Sequence, residues 1–148
     1  MLDLPASPGY PFSLRVTVDY ALGDDGLTIT TTALNTGATA LPYGVGFHPW
    51  ISPGARSLDD CTLQVDADGR SWARLTRGDG STVAIWMDGA ARAWQVCTGN
   101  HVSPESAQRT GVAIEPMSCI ADAFRTGDML VTLEPGESHT LVWGLALV

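Results

Sequence analysis

Basic side chains are scarce in this 148-residue chain, which has eight Lys and Arg against sixteen Asp and Glu and a net charge of −8. So acidic a surface repels phosphate backbones and anionic headgroups, so neither nucleic acid nor a membrane is an expected partner. No apolar run approaches the roughly 20 residues that a bilayer-spanning helix needs. The first twelve residues carry Asp3 and three prolines and lack a basic stretch followed by an apolar one, so they do not read as a signal peptide. The three cysteines, Cys61, Cys97 and Cys119, are widely spaced and form no C-x-x-C pair. That leaves no zinc or redox motif, and no metal or other cofactor is expected. Free thiols in a reducing compartment are the simplest reading, which places the protein in the cytoplasm. Also missing are a G-x-S-x-G elbow, a P-loop, a G-x-G-x-x-G turn and any convincing amphipathic helix.

Hydrophobic residues make up 45% of the chain, alongside 16 Gly and 9 Pro. That balance indicates a folded globule of many strands joined by tight turns. Residues 14–21 alternate, with Leu14, Val16 and Val18 on one face. Gly23-Asp24-Asp25-Gly26 turns the chain into the β-rich run 27–34, which gives a hairpin. Residues 43–51 read as a glycine-bent strand holding His48. Residues 61–65 form a short strand, and 72–76 and 82–87 flank the hairpin turn Arg77-Gly78-Asp79-Gly80-Ser81. Further strands are expected at 93–98, at 112–115 where Pro116 stops the run, at 129–133 and at 139–148, with a single helical turn at 121–125. About ten strands predict one all-β domain over residues 1–148, an antiparallel sandwich.

Two side chains stand out for chemistry. His48 lies between Phe47 and Trp50 on a glycine-rich strand, and Trp50 alternates to its face. An indole there offers a platform for a sugar ring, and Phe47 and Trp50 are the candidate substrate-binding aromatics. Glu115 shares a strand face with Ala113, whose small side chain leaves room for a ligand. A carboxylate in such a cleft serves as a general base. On the residues alone the plainer explanations carry more weight: a satisfied core histidine, and an exposed strand-end glutamate. Asp66-Ala67-Asp68-Gly69 resembles the opening of a calcium loop but lacks the closing ligands, so it reads as a turn. Asp-Gly at a hairpin accounts for Arg77-Gly78-Asp79. His101 and His139 have no evident partner in the sequence, and the five tryptophans fit a core as well as a ligand platform.

Gly46-Phe47-His48-Pro49-Trp50-Ile51 resembles the histidine strand of the aldose 1-epimerase (galactose mutarotase) family, and residues 111–119 (GVAIEPMSC) resemble its catalytic-glutamate strand. The Asp122-Ala123-Phe124 and Pro135-Gly136-Glu137 that follow fit the same pattern, as does Asn35-Thr36-Gly37 ahead of the histidine. The resemblance runs from about Gly9 to the C-terminus. It implies a galactose mutarotase-like supersandwich, here incomplete, and an enzyme that interconverts the α and β anomers of free aldoses. Glu115 would take the proton of the C1 hydroxyl and His48 would protonate the ring oxygen, with Glu115 ionised and His48 protonated at rest and no metal or cofactor involved.

The family's first histidine and its sugar-gripping arginine find no counterpart here. Its sugar-binding aspartate looks deleted between residues 65 and 70, with Leu58-Asp59 only a formal match. First strands of the sandwich are also absent, which exposes sheet edges and predicts a homo-oligomer. The resemblance therefore predicts an isomerase acting on a small sugar such as an aldohexose. The alternatives are an inactive carbohydrate-binding module of the same fold, or an assembly domain recruiting partners at its β-edges.

Overall fold

The computed structural model describes residues 1–55, 57–68 and 70–148, and it is almost entirely antiparallel β. In chain order the strands are β1 (Leu2–Leu4), β2 (Leu14–Gly23), β3 (Gly26–Asn35), β4 (Leu41–Tyr43), β5 (Trp50–Ile51), β6 (Thr62–Asp68), β7 (Arg70–Thr76), β8 (Thr82–Met87), β9 (Ala93–Cys97), β10 (Val112–Met117), β11 (Val131–Leu133) and β12 (Ser138–Leu147). The only α-helix among the described residues is the single turn α1 (Ala123–Thr126), near where the sequence predicts one. No helix among them is long and apolar enough to cross a membrane.

Seven strands form one sheet in the order β1-β2-β3-β12-β8-β7-β6, and two smaller sheets, β5-β10-β9 and β11-β4, complete the fold. The alternation read in residues 14–34 produces the β2–β3 hairpin, in register from Leu14–Asn35 to Gly23–Gly26. Gly26 has φ +106°, and a Cβ there would lie 2.2 Å from the Leu145 carbonyl oxygen, so both the turn and the close approach of β12 require glycine. One face of the large sheet carries the core. Ile29, Ile85, Met87, Leu141 and Trp143 pack with Ile51, Val112 and Ile114 of the β5-β10-β9 sheet. Leu14 and Ala33 pack with Leu41, Tyr43 and Leu133 of the β11-β4 pair.

The structure corrects several boundaries. The expected strand over 43–51 is broken: β4 ends at Tyr43, Gly46 makes one isolated bridge to Met117, and β5 begins only at Trp50. Pro116 does not end its strand, because β10 runs on to Met117 and Pro116 pairs with Trp94. Its carbonyl still accepts the Phe47 N–H at 3.1 Å, so only its missing donor is lost. Asp66 and Asp68, read as a turn, lie on β6, while Gly69 lies outside the described residues. The short β1, hidden in the sequence among prolines, pairs with β2.

Asn35 ties three segments together from a fully buried position. Its Nδ2 donates to the carbonyls of Thr39 and Leu133 (both 2.8 Å), and its Oδ1 accepts the Gly37 N–H. Asn35→Ala orphans those groups and is expected to lower the unfolding free energy in urea titration by about 2–3 kcal/mol. His139 on β12 packs its ring 5.6 Å from that of Tyr43. Burial holds its pKa below the ordinary value of 6.5; the Asp88 carboxylate opposes this and the Arg92 guanidinium adds to it, both by less. The unfolded chain therefore binds the proton first, and this contribution to stability is intact above pH 6.5 and lost as the pH falls below it. His139→Gln is expected to flatten that part of the stability–pH curve, as followed by thermal unfolding.

Candidate active site

Period-two alternation sorts β10 into two faces. Val112 and Ile114 point into the core, whereas Ala113 and Glu115 point to the other side. Register across the three-stranded sheet places Gln95 opposite Glu115, and Trp50 and Cys97 on either side of Ala113. Glu115 is 5% exposed and Ala113 is fully covered, so this second face is sheltered too.

The Glu115 carboxylate lies at the centre of the arrangement. Its Oε1 is 3.3 Å from His48 Nε2, and its Oε2 accepts from Gln95 Nε2 at 3.4 Å. The His48 contact has the distance of an ion pair without hydrogen-bond alignment, so buried Oε1 still lacks a hydrogen-bond donor among the described residues. The His48 side chain is 54% exposed, against 6% for that of Glu115. One partner thus faces solvent while the other is held beneath it.

Backbone contacts carry His48 to this position. Phe47 N–H donates to the Pro116 carbonyl, Ile114 N–H to the Pro49 carbonyl, and Ser118 N–H to the Val45 carbonyl. The glycines read as bends permit this close approach: a Cβ at Gly44 would meet Cys119 Sγ at 2.5 Å, and one at Gly46 would meet Met117 Cγ at 3.0 Å. Trp50 is 48% exposed, and its ring centroid lies 5.5 Å from that of His48. Its indole rests near Gly99 and Gly111, where added Cβ atoms would come within 3.3 and 3.5 Å of it.

Phe47 is placed elsewhere. It turns into the core, 5.0 Å from the Trp143 ring, so the structure brings together His48, Glu115 and Trp50 but not Phe47. Gln95 was missed by sequence reading, since only the β9–β10 register reveals what it faces. Asp59, the formal aspartate match, is exposed and pairs with Arg109. Asp66 pairs with Arg74 at 2.7 Å, Asp79 closes its own turn on Ser81, and His101 is exposed in a loop. No group of three or more His, Cys, Asp or Glu among the described residues is arranged to hold a metal.

The aldose 1-epimerase family model matches residues 1–72, a span that holds His48 but not Glu115. The curated Escherichia coli K12 protein called uncharacterized protein YihR is 29% identical over 180 aligned positions, covering 96% of this chain and 58% of that one. The aligned span is longer than this chain, so YihR carries residues inside it that are absent here. A galactose mutarotase-like protein from Clostridium acetobutylicum superposes with a TM-score of 0.79 at 14% identity, covering 99% of this chain and 61% of its own. A galactose mutarotase-like protein from Lactobacillus casei superposes with a TM-score of 0.64 at 17% identity, with 94% and 65% covered. The chain thus has the galactose mutarotase-like β-sandwich fold and spans about three fifths of the length of these relatives.

The seat of Trp50 is directly testable. Gly99 has φ +72°, a conformation L side chains rarely adopt, and it touches the indole. Gly99→Ala is expected to cost about 1–2 kcal/mol of stability and to shift tryptophan emission as the ring is displaced.

Proposed function

For a chain that resembles the aldose 1-epimerase family in sequence and shares the galactose mutarotase-like fold, we propose a sugar isomerase that interconverts the anomers of free aldoses, with Glu115 as base and His48 as acid. The observation that carries this reading is a buried carboxylate oxygen, short of a donor, 3.3 Å from a half-exposed imidazole nitrogen. The donor it lacks is what a sugar's C1 hydroxyl supplies. Glu115 Oε1 takes the C1 hydroxyl proton as the bond from C1 to the ring oxygen breaks, and His48 Nε2 gives its proton to that oxygen. The open-chain aldehyde rotates about its C1–C2 bond. Closure on the other face reverses both transfers, so the two groups return to their starting states and no other reactant is consumed. A pyranose enters between the two groups from the solvent side, where His48 is open, and parts them from direct contact. Trp50 presents its exposed indole to the apolar face of the ring, and Gln95 holds the second carboxylate oxygen.

A second reading, an inactive sugar-binding module, is favoured by one specific feature. Between His48 and Glu115 the aspartate with which the family grips sugar has only the formal match Leu58-Asp59, and Asp59 is exposed and paired with Arg109. The three free cysteines suit the cytoplasm.

Polarimetry on freshly dissolved α-D-glucose and α-D-galactose separates the first two readings. The wild-type chain is expected to speed the approach to anomeric equilibrium, and Glu115→Gln or His48→Asn to reduce that acceleration at least about 100-fold. Saturable quenching of tryptophan emission by sugar, with the spontaneous rate unchanged, would establish the binding module instead.

A further inference from the structure

Arg109 holds the left-handed backbone conformation, with φ +55°. That conformation costs any residue with a side chain and persists only where the surroundings demand it. Its guanidinium forks, with Nη1 donating to Asn100 Oδ1 at 3.1 Å and Nη2 to the Asp59 carboxylate. The Arg109 and Asp59 side chains are 36% and 70% exposed, and an ion pair so open to water adds little to folding. Set against the strained backbone, these contacts bring the fold little net stability, so their effect falls on what they hold in place.

What they hold surrounds Trp50. Asn100 and Arg109 lie near the two ends of the 98–111 loop that joins β9 to β10. Gly99 stands next to Asn100 and Gly111 two residues after Arg109, and both glycines abut the indole. The Arg109–Asn100 bond therefore draws the two roots of the loop together against the ring. Inside the loop, the Val102 N–H donates to the Gly99 carbonyl and Gln108 Nε2 to the Val102 carbonyl, both at 3.2 Å. Asp59 supplies the fixed end. It sits in the 3-10 turn Leu58–Asp60, whose Leu58 is buried in the main core, and its N–H donates to Ser57 Oγ. That turn follows β5, the strand carrying Trp50. Arg109 thus ties the continuation of that strand to the loop on which its indole leans.

We infer that Arg109 is a positioning residue for the sugar platform: through Asn100 and Asp59 it fixes the loop that seats the Trp50 indole. The role rests on the proposed sugar site. Its bonds run to Asn100 and Asp59 rather than to Glu115 or His48, so it governs how tightly sugar is held and not the proton transfers. Arg109→Gly suits the backbone conformation while removing both contacts. Its Trp50 emission, taken as the difference from the same variant carrying Trp50→Phe, is expected to move to longer wavelength and to quench more readily with acrylamide. In polarimetry on D-galactose, KM is expected to rise at least about fivefold with kcat held within about twofold. Where sugar binds without acceleration, the dissociation constant from tryptophan quenching replaces KM. Asp59→Asn leaves the loop backbone untouched, is expected to move both readings the same way by less, and carries the test should Arg109→Gly unfold. Arg109→Lys, which keeps the charge without the fork, is expected to fall between Arg109→Gly and the wild-type chain. Unchanged Trp50 emission overturns the inference, as does a shifted emission with unchanged sugar affinity, or a loss confined to kcat. A wild-type chain that neither speeds mutarotation nor is quenched by sugar sinks the proposed function itself. The Trp50 emission of Arg109→Gly then still decides whether Arg109 seats the indole.

Discussion

The site is organised around one buried carboxylate. Removing an ion from water costs several kcal/mol unless charges and donors replace the lost hydration. Glu115 receives partial replacement only, with an imidazole at ion-pair distance from one oxygen and a long amide contact to the other. The core-facing residues on either side, Ile114 and Pro116, hold β10 in place, so the carboxylate cannot swing out to solvent without disturbing the inner layer. Such a group is costly as structure, and it is fixed and partly desolvated.

The rest of the fold serves that placement unevenly. Gly44 and Gly46 let the segment before β5 approach β10 closely, and the backbone contacts of Phe47, Pro49 and Val45 then present His48 over Glu115. The two small sheets cover the regions of the large sheet nearest Leu14 and Ile85 and leave the end at Leu22 and Leu147 bare. The relatives are longer, and this chain superposes over almost every one of its residues on about three fifths of their length.

Local patterns made most strands legible. Alternation at Leu14, Val16 and Val18 and the turn chemistry at residues 23–26 and 77–81 have short-range causes, and each reappears in the structure. The same principle failed where tertiary contacts decide. Pro116 should end a ladder, but β10 continues because its neighbour there contributes an isolated bridge and one backbone bond rather than a regular strand. Phe47 and Trp50 were read together as aromatics around His48, yet Phe47 packs on Trp143 in the core while Trp50 stays outside beside His48. Gln95 had no signal at all, because its partner is set by the register of two strands 20 residues apart. His48 and Glu115, weak on their residues alone, were singled out through the motifs around them, and the structure places them 3.3 Å apart.

The most direct test is a crystal structure of the chain soaked with D-galactose. The account predicts one pyranose at the outer face of β10, its C1 hydroxyl on Glu115 Oε1, its ring oxygen toward His48 Nε2 and its apolar face against Trp50. A sugar bound elsewhere, or His48 and Glu115 turned into separate surroundings, would contradict it.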